Sequence, residues 1–162
     1  MMKRTYIEDL SKHVGEEVTI RGWLYNKRSS GKIRFLLVRD GTGIVQCVLA
    51  GGEKSEEAFK IYDTLTQESS LAVRGTVRKD ERAPGAYEIQ LRDVEILQLA
   101  HDYPITPKEH GMEFLMDRRH LWLRSSRQVA IMRVRDYIIK SIREYFSTNG
   151  FLLIDSPILT PA

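Results

Sequence analysis

Phe35, Gln46 and Arg39 are the residues whose types and spacing invite chemistry. They sit close to a run, Asn26–Gly31, rich in Lys, Arg and Ser and containing Arg28. An exposed aromatic ring offers a face for stacking, a carboxamide offers a donor and an acceptor to a base edge, and cations neutralise phosphate. Together these suit single-stranded nucleic acid. The alternative is a sheet whose second face is simply covered by protein, leaving the same residues structural.

Those side chains share a face only if the chain around them is pleated. Val18–Leu49 reads as three consecutive antiparallel strands. In the first, Val18, Ile20 and Leu24 alternate with Thr19, Arg21, Trp23 and Tyr25, and Gly22 marks a bend. In the second, Leu36 and Val38 point one way while Phe35, Leu37 and Arg39 point the other. In the third, Val45, Cys47 and Leu49 oppose Ile44, Gln46 and Val48. Asn26–Gly31 reads as a polar loop, and Asp40-Gly41-Thr42-Gly43 as a tight turn in which Asp-Gly takes the positive φ of a hairpin. Thr5–His13 is expected to be a short helix capped by Thr5 and ended by Gly15. After Ala50-Gly51-Gly52, Glu53–Gln67 places Ala58, Ile61, Tyr62 and Leu65 on one helical face. Ser70–Arg78 returns to strand, Pro84-Gly85 turns, and Tyr87–Leu99 is a fifth strand with a phase shift near Asp93. Three strands, a helix and two strands is the order of a five-stranded OB-fold barrel, whose sheet is a common oligonucleotide- and oligosaccharide-binding surface.

The bulk numbers restrict the function classes. The chain has 162 residues, 42% hydrophobic and 29% charged, which is ordinary for a globular protein. Its formal net charge of +3 is compatible with nucleic acid and with many enzymes. A single cysteine, Cys47, permits no internal disulfide and points to a reducing, cytoplasmic setting. Met1–Leu10 lacks an apolar signal segment, and no run is long enough to span a membrane. The four histidines lack ligand spacing, so no metal is expected in this chain.

Beyond residue 100 the character changes. His101–Leu123 carries Pro104, Pro107 and unperiodic aromatics, and reads as an ordered connector without regular structure. Ser125 or Ser126 caps a helix from about Arg127 to Thr148. Its face of Ile131, Val134, Ile138, Ile142 and Tyr145, flanked by Met132, Ile139 and Phe146, is unusually broad. Arg135 projects into that face, where a charge needs a partner. Asn149-Gly150 stops the helix, Phe151–Ile154 reads as an apolar strand, and Asp155-Ser156-Pro157 turns out of it. A lone strand is not stable by itself. The expectation is therefore a second domain only begun within these 162 residues.

Two stretches resemble one family. Gly22-Trp23, Arg28, Phe35, Arg39-Asp40 and Gly43-Ile44-Val45-Gln46 are similar to the anticodon-binding barrel of the class II aspartyl, asparaginyl and lysyl tRNA synthetases. Asn149–Pro157 resembles motif 1 of class II synthetases. Pro104–Leu115 with Arg119–Ser125 looks like the connector of the asparaginyl members, bacterial or archaeal in type. The resemblance implies a β-rich α+β chain: an OB-fold anticodon-binding barrel at 1–100, a connector or hinge at 101–124, and the first helix and strand of a class II catalytic domain at 125–162.

It further implies that Phe35 stacks on the middle uridine of the anticodon and that Gln46 hydrogen-bonds the same base. Arg28, in the basic loop, is expected to touch phosphate. Glu88 resembles an anticodon-contacting glutamate; its alternative is a solvated strand residue. Arg135, Phe151 and Pro157 are implied at a homodimer interface. The motifs that bind ATP and form the adenylate do not occur in the chain, so catalytic residues and bound cofactors are expected only in a longer protein using ATP and Mg²⁺. That protein is expected to join asparagine to tRNA in two steps, while the 162-residue chain alone is expected to be inactive. An aspartyl enzyme and a stand-alone RNA-binding barrel are the alternatives.

Overall fold

The structure, a computed structural model, describes residues 5–50 and 56–155, the side chains of 56–58 apart. The chain falls into two compact units that part between Tyr103 and Pro104.

The first unit is a closed barrel of β1 (Glu17–Ser30), β2 (Ile33–Arg39), β3 (Ile44–Ala50), β4 (Ser70–Lys79) and β5 (Tyr87–Gln98), ordered β1-β2-β3-β5-β4. All neighbours are antiparallel except β3 and β5, which run parallel over Gln46↔Glu88, Cys47↔Ile89 and Val48↔Gln90. Alternation along the strands sends Val18, Ile20, Leu36, Val38, Val45, Cys47, Val73 and Ile89 into one core. The Cys47 thiol lies there completely buried, and loss of water around it pushes its pKa up. Between β3 and β4, α1 (Glu56–Thr64) lays Ile61 and Tyr62 on the core, followed by Leu65. Glu53–Ser55, expected at its start, lie outside the described residues, and the helix ends at Thr64, three residues before the expected Gln67.

Several local expectations change. Asn26–Ser30 is not a loop. β1 continues through it, paired to β2 as Lys27↔Leu36, Arg28↔Phe35 and Ser29↔Arg34, and only Gly31 and Lys32 turn. A bulge between Leu24 and Asn26 adds a residue at Tyr25, and Gly31 takes a φ of 55°. Gly22 is no bend: a Cβ there would run into the Arg39 carbonyl, so the residue permits close backbone approach. The phase shift near Asp93 is a second bulge, with Arg74↔Asp93 followed by Gly75↔Leu91.

The Asp40–Gly43 loop closes without positive φ at either glycine. Its carboxylate does the work: Oδ1 accepts from Thr42 N (2.7 Å), Thr42 Oγ1 (2.6 Å) and Gly43 N (3.0 Å). Oδ2 accepts from Ile7 N at 3.0 Å, and Thr42 Oγ1 accepts from Glu8 N at 3.2 Å. Ile7–His13 is thereby capped by a distant loop as a 3-10 helix, not by Thr5, and it drives Leu10 into the core.

The second unit contains α2 (Met112–Asp117), α3 (Arg119–Trp122) and α4 (Ser126–Thr148). The connector is thus partly helical. Its aromatics are in use: His110 stacks on Phe114 at 4.7 Å, and the Arg118 guanidinium lies 3.9 Å from the same ring. Ser125 caps α4 by accepting from Gln128 N. At the other end Gly150, at φ 85°, makes a Schellman stop: Phe151 N donates to Phe146 O, Gly150 N to Ser147 O, and the two phenyl rings pack edge to face. Phe151–Ile154 forms no ladder with any described residue and is exposed, from 61% at Phe151 to 88% at Leu152. A strand exists only through its partner, and none is present among the described residues.

Candidate nucleic-acid interface

The four barrel residues singled out from sequence converge on one outer face. β1 supplies Arg28, β2 Phe35, β3 Gln46 and β5 Glu88. Arg28 pairs in register with Phe35, and Gln46 pairs with Glu88 across the parallel seam. The Arg28 guanidinium lies over the Phe35 ring, 4.4 Å from its centroid, and its Nη2 donates to Gln46 Oε1 at 3.0 Å. Gln46 Nε2 in turn donates to Glu88 Oε2 at 3.4 Å. Leu37 lies opposite Gln46 and Val48 opposite Phe35, giving this face a half-buried apolar floor. An aromatic ring, a directed amide and flanking charges of both signs therefore share one patch.

Two placements depart from expectation. Arg28 stands on a strand and is engaged with Phe35 and Gln46, because the β1 bulge carries the strand past the run that looked like a loop. Arg39 shares the outer alternation, yet its Nη2 donates to Glu68 Oε2 at 2.8 Å, with side-chain exposures of 14% and 3%. That nearly buried pair sits where Glu68, at φ 65°, and Ser69 exchange backbone hydrogen bonds with Leu24. Arg39 therefore anchors the barrel wall and is no open phosphate ligand.

Sequence reading missed Arg78, an exposed cation on β4 directly opposite Glu88 and hence on the same face. Counting the hairpin outward from the Pro84-Gly85 turn would have found it.

In the second unit Arg135 is exposed and makes no ion pair among the described residues, so the partner expected for it is not among them. The apolar stripe around it is open too, with Val134 59%, Ile138 50%, Ile142 52% and Tyr145 65% exposed. Phe151 is exposed, and Pro157 lies outside the described residues.

A closed barrel in this strand order is an OB-fold, and the family model of the OB-fold nucleic acid binding domain matches residues 18–97. A second model, of class II tRNA synthetases (D, K and N), matches residues 111–162. The chain belongs to the class II tRNA synthetases of this group.

It is similar to the asparagine–tRNA ligase of Desulforamulus reducens, with 56% identity over 99% of this chain and 37% of that protein. To the Thermus thermophilus asparagine–tRNA ligase it is 51% identical, over 98% of this chain and 36% of that one. Among solved structures, the asparaginyl-tRNA synthetase of Pyrococcus horikoshii complexed with asparaginyl-adenylate superimposes with a TM-score of 0.88. The identity there is 37%, covering 98% of this chain and 37% of that one. The chain thus spans a little over a third of the length of the relatives it matches.

Proposed function

We propose that the barrel binds the anticodon arm of a tRNA, with Phe35 stacking on the middle uridine and Gln46 hydrogen-bonding its edge. The observation that carries this is the convergence of Phe35, Gln46, Arg28 and Glu88 on one outer face. The base uses the ring face that Arg28 leaves open. Arg28 and Glu88 complete the anticodon site, and Arg78 supplies a further positive charge beside it.

The remaining assignments follow the relatives. Residues 1–100 act as the anticodon-binding domain, 101–124 as a hinge, and 125–162 as the start of a catalytic domain. The whole protein is a cytoplasmic asparagine–tRNA ligase, forming asparaginyl-tRNA through an adenylate with ATP and Mg²⁺. The open face of α4, with Arg135, Phe151 and Pro157, belongs to a homodimer interface, where Arg135 meets an acceptor.

Among the described residues no group of three or more His, Cys, Asp or Glu is placed to hold a metal ion. No described helix is long and apolar enough to cross a membrane.

Titration of the chain with an anticodon stem-loop, against the same hairpin with a scrambled loop, tests the binding. Equal affinity for both would sink it. Asparagine-dependent pyrophosphate exchange is expected from the whole protein and absent from the 162-residue chain.

A further inference from the structure

We propose that Arg28 and Glu88 hold the Gln46 amide in one direction, and that this clamp sets uridine-over-cytidine selectivity. The inference rests on the proposed reading of a base by Gln46. Arg28 reaches from β1 across the Phe35 ring to Gln46 Oε1, and Glu88 meets Gln46 Nε2 from the paired position on β5.

The chemistry of the two partners allows only one amide direction. A guanidinium has donors and no acceptor, and an ionised carboxylate has acceptors and no donor. Turning the amide by 180° would set its NH₂ against Arg28 and its oxygen against Glu88. Both hydrogen bonds would be lost and both contacts would become repulsive. Two charged partners make the preference steeper than neutral ones would. The cation–π contact with the Phe35 ring, 4.4 Å from guanidinium to centroid, helps hold the donor side of the clamp in place.

A free glutamine is an ambiguous reader of pyrimidines. Uracil presents the N3–H donor beside the O4 acceptor. Cytosine presents the N3 acceptor beside the N4 amino donor at the same two positions. Half a turn of an unrestrained amide converts a match to one into a match to the other. Held between Arg28 and Glu88, Gln46 has one lone pair left on Oε1 and one hydrogen left on Nε2, in fixed order. Uracil fits with N3–H on Oε1 and a carbonyl on Nε2. Cytosine in the same pose sets its N3 acceptor against Oε1. Arg28 and Glu88 are therefore positioning residues that act through Gln46.

The test uses the full chain and two stem-loop RNAs that differ only in U or C at the middle anticodon position. Wild type is expected to prefer U by about ten-fold or more, the range of a good bidentate base contact. Glu88→Gln can donate as well as accept, so it loosens the amide on its Nε2 side while Arg28 still holds Oε1. The U/C ratio should fall to about three-fold or less, chiefly through tighter binding of the C hairpin. Arg28→Met keeps an apolar stem over Phe35 without donors. It should weaken both RNAs through lost charge and shrink the ratio as well.

Gln46→Ala separates the two levels of the argument. If it keeps the wild-type ratio, or if wild type has none, the base reading by Gln46 fails. If it abolishes the ratio while Glu88→Gln and Arg28→Met both preserve it, only the clamp is wrong. Weaker binding of the U hairpin by Glu88→Gln with the C hairpin unchanged would also overturn the clamp, since that is the signature of a direct contact.

Discussion

Asp40→Ala should cost the barrel far more stability than its place in a surface loop suggests. The carboxylate is only 6% exposed and accepts four hydrogen bonds, from Ile7 N, Thr42 N, Thr42 Oγ1 and Gly43 N. A hydrogen bond to a charged group contributes about 1.5–3 kcal/mol, and bonds sharing one acceptor group do not add fully. Ile7 and Gly43 are half-buried, so water can re-solvate their amides in part. A net loss of roughly 3 kcal/mol follows, which for a domain near 100 residues lowers Tm by about 12–24 °C. Asp40→Asn keeps one oxygen for the loop but turns an NH₂ toward the Ile7 amide, and should lose roughly half as much. Thermal unfolding followed by circular dichroism gives the magnitude. Amide exchange at Ile7 and Glu8 gives the location, because the capped 3-10 helix should open first. A Tm for Asp40→Ala within about 3 °C of wild type would refute the claim that one carboxylate joins the amino-terminal helix to the barrel.

Other outcomes can be checked alongside it. Phe35→Ala should weaken binding of an anticodon stem-loop about ten-fold or more at fixed salt, since a base stack is worth roughly 1–3 kcal/mol; equal affinity of the variant removes Phe35 from the site. Gly75→Ala should lower Tm sharply, because a Cβ there runs into the Gln90 carbonyl and meets Ile89 Cγ2 at 2.8 Å, both awkward to move. A soluble variant melting with wild type would show that the bulge can relax. With the α4 stripe open, the chain should self-associate. Sedimentation showing only monomer at high micromolar concentration would count against a dimer through that face.

The strand faces were legible because period-two alternation needs no tertiary information: Leu36, Val38, Val45, Cys47 and Leu49 are buried as the pattern requires. The run Asn26–Ser30 was misread because its polarity is that of a loop, whereas its pairing comes from β2 and from a bulge that leaves no mark in composition. The same blindness hid the role of Asp40, whose carboxylate bonds across 33 residues to Ile7, and the pairing of Arg39 with Glu68. Local propensity sees neighbours in sequence, and these are neighbours only in space. The shared outer face of Phe35 and Gln46 was accessible because both lie on well-formed strands of predictable phase. The departures cluster at Tyr25, Glu68 and the Asp40 loop, where the barrel changes strand partners or closes a corner.

The parallel seam between β3 and β5 has only three partner pairs, against seven between β2 and β3. Gln46 and Glu88 lie on it, 42 residues apart in sequence. Closing so long a loop for so short a ladder is entropically unfavourable, so the seam is expected to form late in folding and to open early in unfolding. The proposed recognition surface is then incomplete until the seam closes. An RNA that engages both sides of the seam acts as a clasp, adding RT ln(1 + [L]/Kd) to the stability, about 2.7 kcal/mol at a hundred-fold excess over Kd. Occupancy of the site should therefore be readable as slower amide exchange at Cys47 and Ile89, buried residues that no nucleotide can touch.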